Sequence, residues 1–214
     1  HPSKRKQHLR PHKCLTMNEN IEFLQAFLKN PAKVGSITPS SPELAQTMLA
    51  GIEPSAENII IELGVGTGAI TKFVQDIVSD DRSYLGIELD AGLVKVLRKN
   101  LPEMNIVCGN AMEMESIHQR SGLGKPGYIV CCLPFVSLPG EVRDGVLAQV
   151  DKFMQHGCEF RTLQYAHGYY LPSAQKFRAL MRKRYGKEKR SPLVVKNVPP
   201  AYTLTWKTKC EVKS

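Results

Sequence analysis

Short apolar runs alternate with stretches of helical period along most of the chain. Ile59-Ile60-Ile61, followed by Leu63, is too apolar for a strand with one wet face, so residues 58–63 are predicted as a strand buried on both sides. Residues 83–88, 105–108, 128–132 and 158–166 predict further strands. Between them, residues 67–78, 91–100, 111–119 and 140–154 predict helices. Residues 173–185 form a basic helical stretch, and 193–197 and 202–210 predict two closing strands. Upstream, Thr16 and Glu19 have capping-box spacing, and Ile21, Leu24 and Leu28 share a helical face widened by Phe23 and Phe27. Asn30-Pro31 ends that helix, and Ser41-Pro42-Glu43 starts another, predicted to reach about Gly51.

This alternation implies a mostly parallel sheet with helices on both faces, and the two closing strands imply an antiparallel edge. The expected fold is α/β and Rossmann-like, with seven strands. Two regions are expected: residues 1–51, a basic arm with helices that contact a membrane or cover an active site, and residues 52–214, the ligand-binding core.

The 214 residues, 42% hydrophobic and 23% charged, suffice for one domain with a sizeable core. No apolar run approaches bilayer length, and the basic stretch from His1 to Lys13 precedes no leader-like apolar region. Six scattered cysteines form no C-x-x-C pair, so no metal site is expected and reduced core thiols are the simpler reading. The net charge of +9 is concentrated in two places. Lys4, Arg5, Lys6, Arg10 and Lys13 form one cluster; Lys176, Arg178, Arg182, Lys183, Arg184, Lys187, Lys189 and Arg190 form the other. Such clusters fit a polyanionic partner, either nucleic acid or an anionic membrane face, and the second also fits a solvated helix.

Candidate chemistry concentrates at the strand ends. Glu62-Leu63-Gly64-Val65-Gly66-Thr67-Gly68 joins a buried strand to a helix, where glycines let a ligand approach the backbone. The spacing G-x-G-x-G differs from the dinucleotide pattern and resembles motif I of class I methyltransferases. Glu88, followed by Leu89, ends the next strand, where a carboxylate can accept hydrogen bonds from two ribose hydroxyls. After the third strand comes Gly109-Asn110-Ala111, where that class often carries Gly-Asp-Ala; an amide oxygen at Asn110 still accepts from an adenine amino group, without charge. The fourth strand runs into Cys132-Leu133-Pro134-Phe135. Adenine and amide N-methyltransferases usually place Asn or Asp where Cys132 stands, so an adenine acceptor is disfavoured.

Several stretches are more particular. Phe27-Leu28-Lys29-Asn30-Pro31, Val34-Gly35-Ser36-Ile37-Thr38-Pro39-Ser40-Ser41, Leu133-Pro134-Phe135-Val136-Ser137-Leu138-Pro139, Gln164-Tyr165 and Asn197-Val198-Pro199-Pro200-Ala201 resemble the bacterial phospholipid N-methyltransferase family. The resemblance extends from about Phe23 to Lys207 and implies S-adenosylmethionine as cofactor. It implies stepwise N-methylation of phosphatidylethanolamine toward phosphatidylcholine, by a protein peripheral on the cytoplasmic membrane face.

The cofactor would then be held by Glu62, Gly64, Gly66, Thr67, Gly68, Glu88, Leu89, Asn110, Ala111 and Cys132. Tyr165, His167, Leu133 and Pro134 are the candidate catalytic positions. Lys33, Ser40, Tyr165, Tyr169, Arg178 and Lys196 are the candidates for the lipid head group, with aromatic faces attracting a methylated ammonium. An anionic membrane and a phospholipid are the expected partners, and no protein partner is predicted. The alternatives are an rRNA adenine N6-methyltransferase, against which an expected lack of a C-terminal RNA-binding domain also stands, and a non-catalytic membrane or RNA adaptor.

Overall fold

The structure is a computed structural model and describes residues 39–208. The helix predicted over residues 16–30, Lys33 and the end of the last predicted strand lie outside the described residues. Seven strands form one sheet in the order β3-β2-β1-β4-β5-β7-β6. They are β1 (Asn58–Leu63), β2 (Tyr84–Glu88), β3 (Ile106–Cys108), β4 (Lys125–Cys131), β5 (Glu159–Tyr165), β6 (Lys189–Arg190) and β7 (Ala201–Lys207). The first five pair in parallel; β7 runs antiparallel to β5, from Glu159 opposite Lys207 to Tyr165 opposite Ala201. Strand order reverses between β1 and β4, which opens a crevice beyond their carboxyl ends.

Helices cover both faces, as the doubly apolar strands require. Ile59, Ile61 and Leu63 point to one face, where they join Met114 and Ile117 of α4 (Met114–Ser121), Val146 and Val150 of α5 (Gly140–Met154), and Phe177 and Met181 of α6 (Pro172–Tyr185). Ile60 points the other way, toward Leu44 and Met48 of α1 (Pro42–Leu49), Val74 of α2 (Thr71–Val74) and Leu97 of α3 (Ala91–Asn100).

Two predicted elements change character. The helix expected over residues 67–78 shrinks to the four residues of α2, because Gly66 and Gly68 take φ of 58° and 80° and a right-handed helix cannot pass through them. The strand expected over 193–197 is replaced by a loop. Val194 makes a single bridge to Ala201, while Lys189 and Arg190 pair with β7 instead. Pro192, Pro199 and Pro200 lack the amide donors that a ladder needs. The helix expected over 111–119 begins as a 3-10 turn, Ala111–Glu113, and continues as α4.

Polar contacts at both ends tie α1 to β5 and to the loop before β7. The Asn197 side chain accepts from the Ser41 amide at 2.8 Å and donates to the Pro199 carbonyl at 2.7 Å. Ser41 in turn caps α1 by accepting from the Leu44 amide. At the other end of α1, Arg161 Nη1 donates to the carbonyls of Met48 and Ala50, both at 2.8 Å, while its guanidinium pairs with Glu159 at 2.6 Å. Removing Arg161 strands a buried carboxylate and two carbonyls together. Arg161→Ala is expected to lower unfolding free energy by about 3 kcal/mol or more, measured by urea denaturation.

Candidate active site

The chain leaves β1 through Gly64, Gly66 and Gly68, all with positive φ. A Cβ on Gly64 would stand 2.6 Å from Leu133 Cδ2, so Leu133 fills the space behind the loop. At Gly66 the nearest atom to such a Cβ is 3.9 Å away, which leaves this turn of backbone open to a ligand. The Gly66 amide donates to Glu88 Oε2 at 2.8 Å and the Asp90 amide to Glu88 Oε1 at 2.9 Å. Both carboxylate oxygens are thereby fixed, and each keeps a further lone pair. Asp90 caps α3 by accepting from the amides of Gly92 and Leu93, which sets the direction in which the chain leaves β2.

Beneath the loop lies Glu62, fully buried. Its Oε2 accepts from Tyr84 Oη at 2.7 Å and Thr71 Oγ1 at 2.9 Å; Oε1 has the Cys132 thiol at 4.0 Å. Burial pushes the Glu62 carboxyl up to about 7, against the downward pull of the Tyr84 and Thr71 hydrogen bonds. Burial, reinforced by the nearby carboxylate of Glu62, holds the Cys132 thiol well above its ordinary range, so it stays neutral. Asn110, after β3, is buried, and its side chain accepts from the Met112 amide at 3.0 Å. That bond fixes the amide as the cap of the 3-10 turn and leaves its carbonyl a second lone pair. Ala111 is buried beside it, Leu89 is half-buried, and Thr67 is exposed at the loop tip.

On the acceptor side, Tyr165 ends β5 half-buried, its ring stacked on His167 with centroids 5.8 Å apart. Burial raises the Tyr165 phenol, helped by the neighbouring Cys132, so it remains protonated at neutral pH and offers an aromatic face rather than a base. His167 itself is exposed. The Pro134 carbonyl accepts from the amides of Ser137 and Leu138, and so turns the segment after β4 toward α5.

The structure therefore gathers Glu62, the glycine loop, Glu88, Cys132, Leu133 and Tyr165 at one end of the sheet. The other candidates are placed differently. Lys196 Nζ pairs with Glu43 Oε1 at 3.1 Å, so its charge is already answered within the chain. Ser40 is half-buried beside the Ser41–Asn197 contact. Tyr169 is buried in the core on the α5–α6 face, under the Arg178 guanidinium, whereas Tyr165 packs with the α1 side. Sequence reading missed Tyr84 and Thr71, whose hydroxyls hold Glu62 across gaps of 22 and 9 residues and carry no local signal. Asp90 was detectable as an acid just before a helix.

These groups fit a nucleoside ligand bearing a positive sulfur. Glu88 offers two oriented acceptor sites, the loop offers open backbone, and Glu62 supplies a buried carboxyl below. The fold and this crevice define a class I S-adenosylmethionine-dependent methyltransferase. By a sequence profile matching residues 16–134, more than half its length, the chain belongs to the ribosomal RNA adenine dimethylase family. It is also 32% identical, over 130 residues, to an ornithine lipid N-methyltransferase of Singulisphaera acidiphila, covering 59% of this chain and 68% of that protein. Among solved structures, it is similar to an O-methyltransferase from Klebsiella pneumoniae described as putative, at 15% identity and a TM-score of 0.60, covering 86% of this chain and 89% of that one. It is similar as well to magnesium protoporphyrin IX methyltransferase of Synechocystis with bound S-adenosylmethionine, at 8% identity and a TM-score of 0.58, covering 92% and 99%. At such identities these likenesses speak to the fold alone.

When bound, S-adenosylmethionine supplies a methyl group on an electron-poor sulfonium. Of this chain's residues, Glu88 would hold the ribose through its two oriented oxygens and Gly64 to Gly68 would shape the crevice around it. Glu88→Ala is expected to weaken S-adenosylmethionine binding by roughly 10- to 100-fold in isothermal titration, with the circular dichroism spectrum unchanged.

Glu62 also gives a pH signature. Its folded-state value of about 7 lies above the ordinary 4.5, so the native state holds this proton more tightly than the unfolded chain. Its contribution is fully present below pH 4.5 and is lost as pH rises through 7. The loss is on the order of 1–3 kcal/mol. Urea denaturation of the cofactor-free protein across this window should show the decline, and Glu62→Gln should flatten it.

Proposed function

We propose that the protein transfers methyl groups from S-adenosylmethionine to the amine of a membrane lipid head group, on the cytoplasmic face of a membrane. The observation that carries this reading is the neutral, half-buried thiol of Cys132 after β4, where adenine-modifying enzymes usually place a hydrogen-bonding amide or carboxylate. A thiol is a poor partner for a planar base nitrogen but no obstacle to a flexible amine. The aromatic face of Tyr165 beside it suits a methylated ammonium, at roughly 0.5–2 kcal/mol. The ornithine lipid N-methyltransferase relative supports the same class of acceptor. Phosphatidylethanolamine and an ornithine lipid share the required feature, a primary amine on a lipid head group.

The second reading, methylation of adenine in ribosomal RNA, is favoured by the family profile. That match ends at residue 134, however, before β5, α6, β6 and β7, the elements that follow the cofactor half. It covers the glycine loop, Glu88 and Cys132, and leaves everything after Pro134 unmatched. Incubating the protein with labelled S-adenosylmethionine, mixed vesicles containing phosphatidylethanolamine and ornithine lipid, and ribosomal RNA separates the two. Label is expected in the lipid fraction, in a mono- or polymethylated amine; label confined to the RNA overturns the proposal.

A further inference from the structure

A second polar constellation lies on the α5–α6 face. Arg178 of α6 is 5% exposed, with its guanidinium 3.7 Å over the ring of Tyr169. Its Nε and Nη1 are buried and have no hydrogen-bond acceptor among the described residues. Buried guanidinium donors ordinarily meet an anion. The acid nearby feels the Arg178 charge but makes no hydrogen bond to it: the Glu188 oxygens accept from Arg182, through Nε at 2.7 Å and Nη2 at 2.5 Å. Arg190 does not relieve the charge, since it lies over the same Tyr169 ring at 5.2 Å and over Tyr202 at 4.8 Å.

Arg178 lines an open pocket of about 470 Å³ with Tyr170, Gln175, Lys176, Ala179 and Arg182. Apolar side chains surround this end of the sheet. Tyr170 is 76% and Leu171 50% exposed, on the loop that follows β5. The Ala166 amide donates to the Pro200 carbonyl at 2.8 Å, which ties that loop to residues 191–200, where Val195 and Val198 are each 67% exposed. Both loops stand at the carboxyl end of β5, where Tyr165 pairs with Ala201. With Leu193, five of the seven large exposed hydrophobic residues among the described residues fall on these two loops.

We infer that the Arg178 pocket binds the phosphate of an anionic phospholipid head group, with the two apolar loops seated in the bilayer interface. The planar guanidinium fork suits a phosphate oxygen pair, and Lys176 adds charge at the rim. The combination of basic groups with exposed Tyr, Leu and Val is that of a membrane-surface contact. An RNA partner fits less well: nucleic-acid interfaces are polar and stack bases on aromatic rings, which leaves Leu171, Val195 and Val198 with nothing to bury against. The pocket is built from residues outside the cofactor crevice and does not depend on which amine is methylated.

The test is flotation of the full chain, without S-adenosylmethionine, with phosphatidylcholine vesicles that contain phosphatidylglycerol. Wild type is expected to float. Arg178→Gln should lower partitioning roughly tenfold or more, and the exposed-site variants Lys176→Ala and Tyr170→Ser roughly fivefold each. These two surface variants keep the test valid if Arg178→Gln fails to fold. Unchanged flotation of Lys176→Ala and Tyr170→Ser overturns the inference. So does binding of inorganic phosphate, read as thermal stabilisation lost in Arg178→Gln, without vesicle binding. Variant-sensitive binding of structured RNA in place of vesicles also overturns it. Flotation with no lipid methylation would leave this surface standing while sinking the proposed acceptor; methylation with no variant effect on flotation would do the reverse.

Discussion

The hydrogen bond from the Gly66 amide to Glu88 joins the ends of two adjacent parallel strands, and the cofactor crevice depends on it. β1 and β2 are paired along their length, but pairing alone does not fix what the chain does after it leaves the sheet. The loop after β1 has three glycines with positive φ and few side chains to hold it. A carboxylate at the end of β2 supplies the missing constraint from outside, and the Asp90 amide holds that carboxylate from its other side. The arrangement places a carboxylate with free lone pairs against open backbone, a setting that fits a ribose.

Beneath this surface the protein keeps a carboxyl in a fully buried position. Glu62 is satisfied on one oxygen by Tyr84 and Thr71, while the other has, among the described residues, the thiol of Cys132. The polar column Tyr84–Glu62–Cys132 runs beneath the glycine loop toward Tyr165 at the end of β5. Cys132 is the position at which the chain departs from adenine-modifying enzymes of its fold. Under the proposed function, a neutral thiol there removes a directional partner for the acceptor and shifts the burden of positioning to shape and to aromatic contact.

Remote parts of the chain meet at α1. Its start is fixed by Asn197 and its end by Arg161, residues separated from it by more than a hundred positions. The family profile ends near Pro134, so the elements that bind α1 lie in the part of the chain that the family match leaves open.

Much of this was determined locally. Apolar triplets such as Ile59-Ile60-Ile61 can be buried on both faces only in a sheet covered by helices, and the glycine loop and Glu88 are marked by their places at strand ends. Helix α5 is legible to the residue, because apolar period and chain punctuation agree there. What the sequence could not decide were contacts made across long separations. Tyr84 and Thr71 are ordinary residues until the fold brings them to Glu62; Lys196 looks like a free cation until α1 presents Glu43; Tyr169 looks like a partner of Tyr165 until β5 ends and the chain crosses to the other face. Periodicity and backbone preference act over a few neighbours and are written in the sequence. Charge pairing, burial and the side of the sheet on which a side chain lands belong to the tertiary structure, because their partners are set only when distant strands have taken their order.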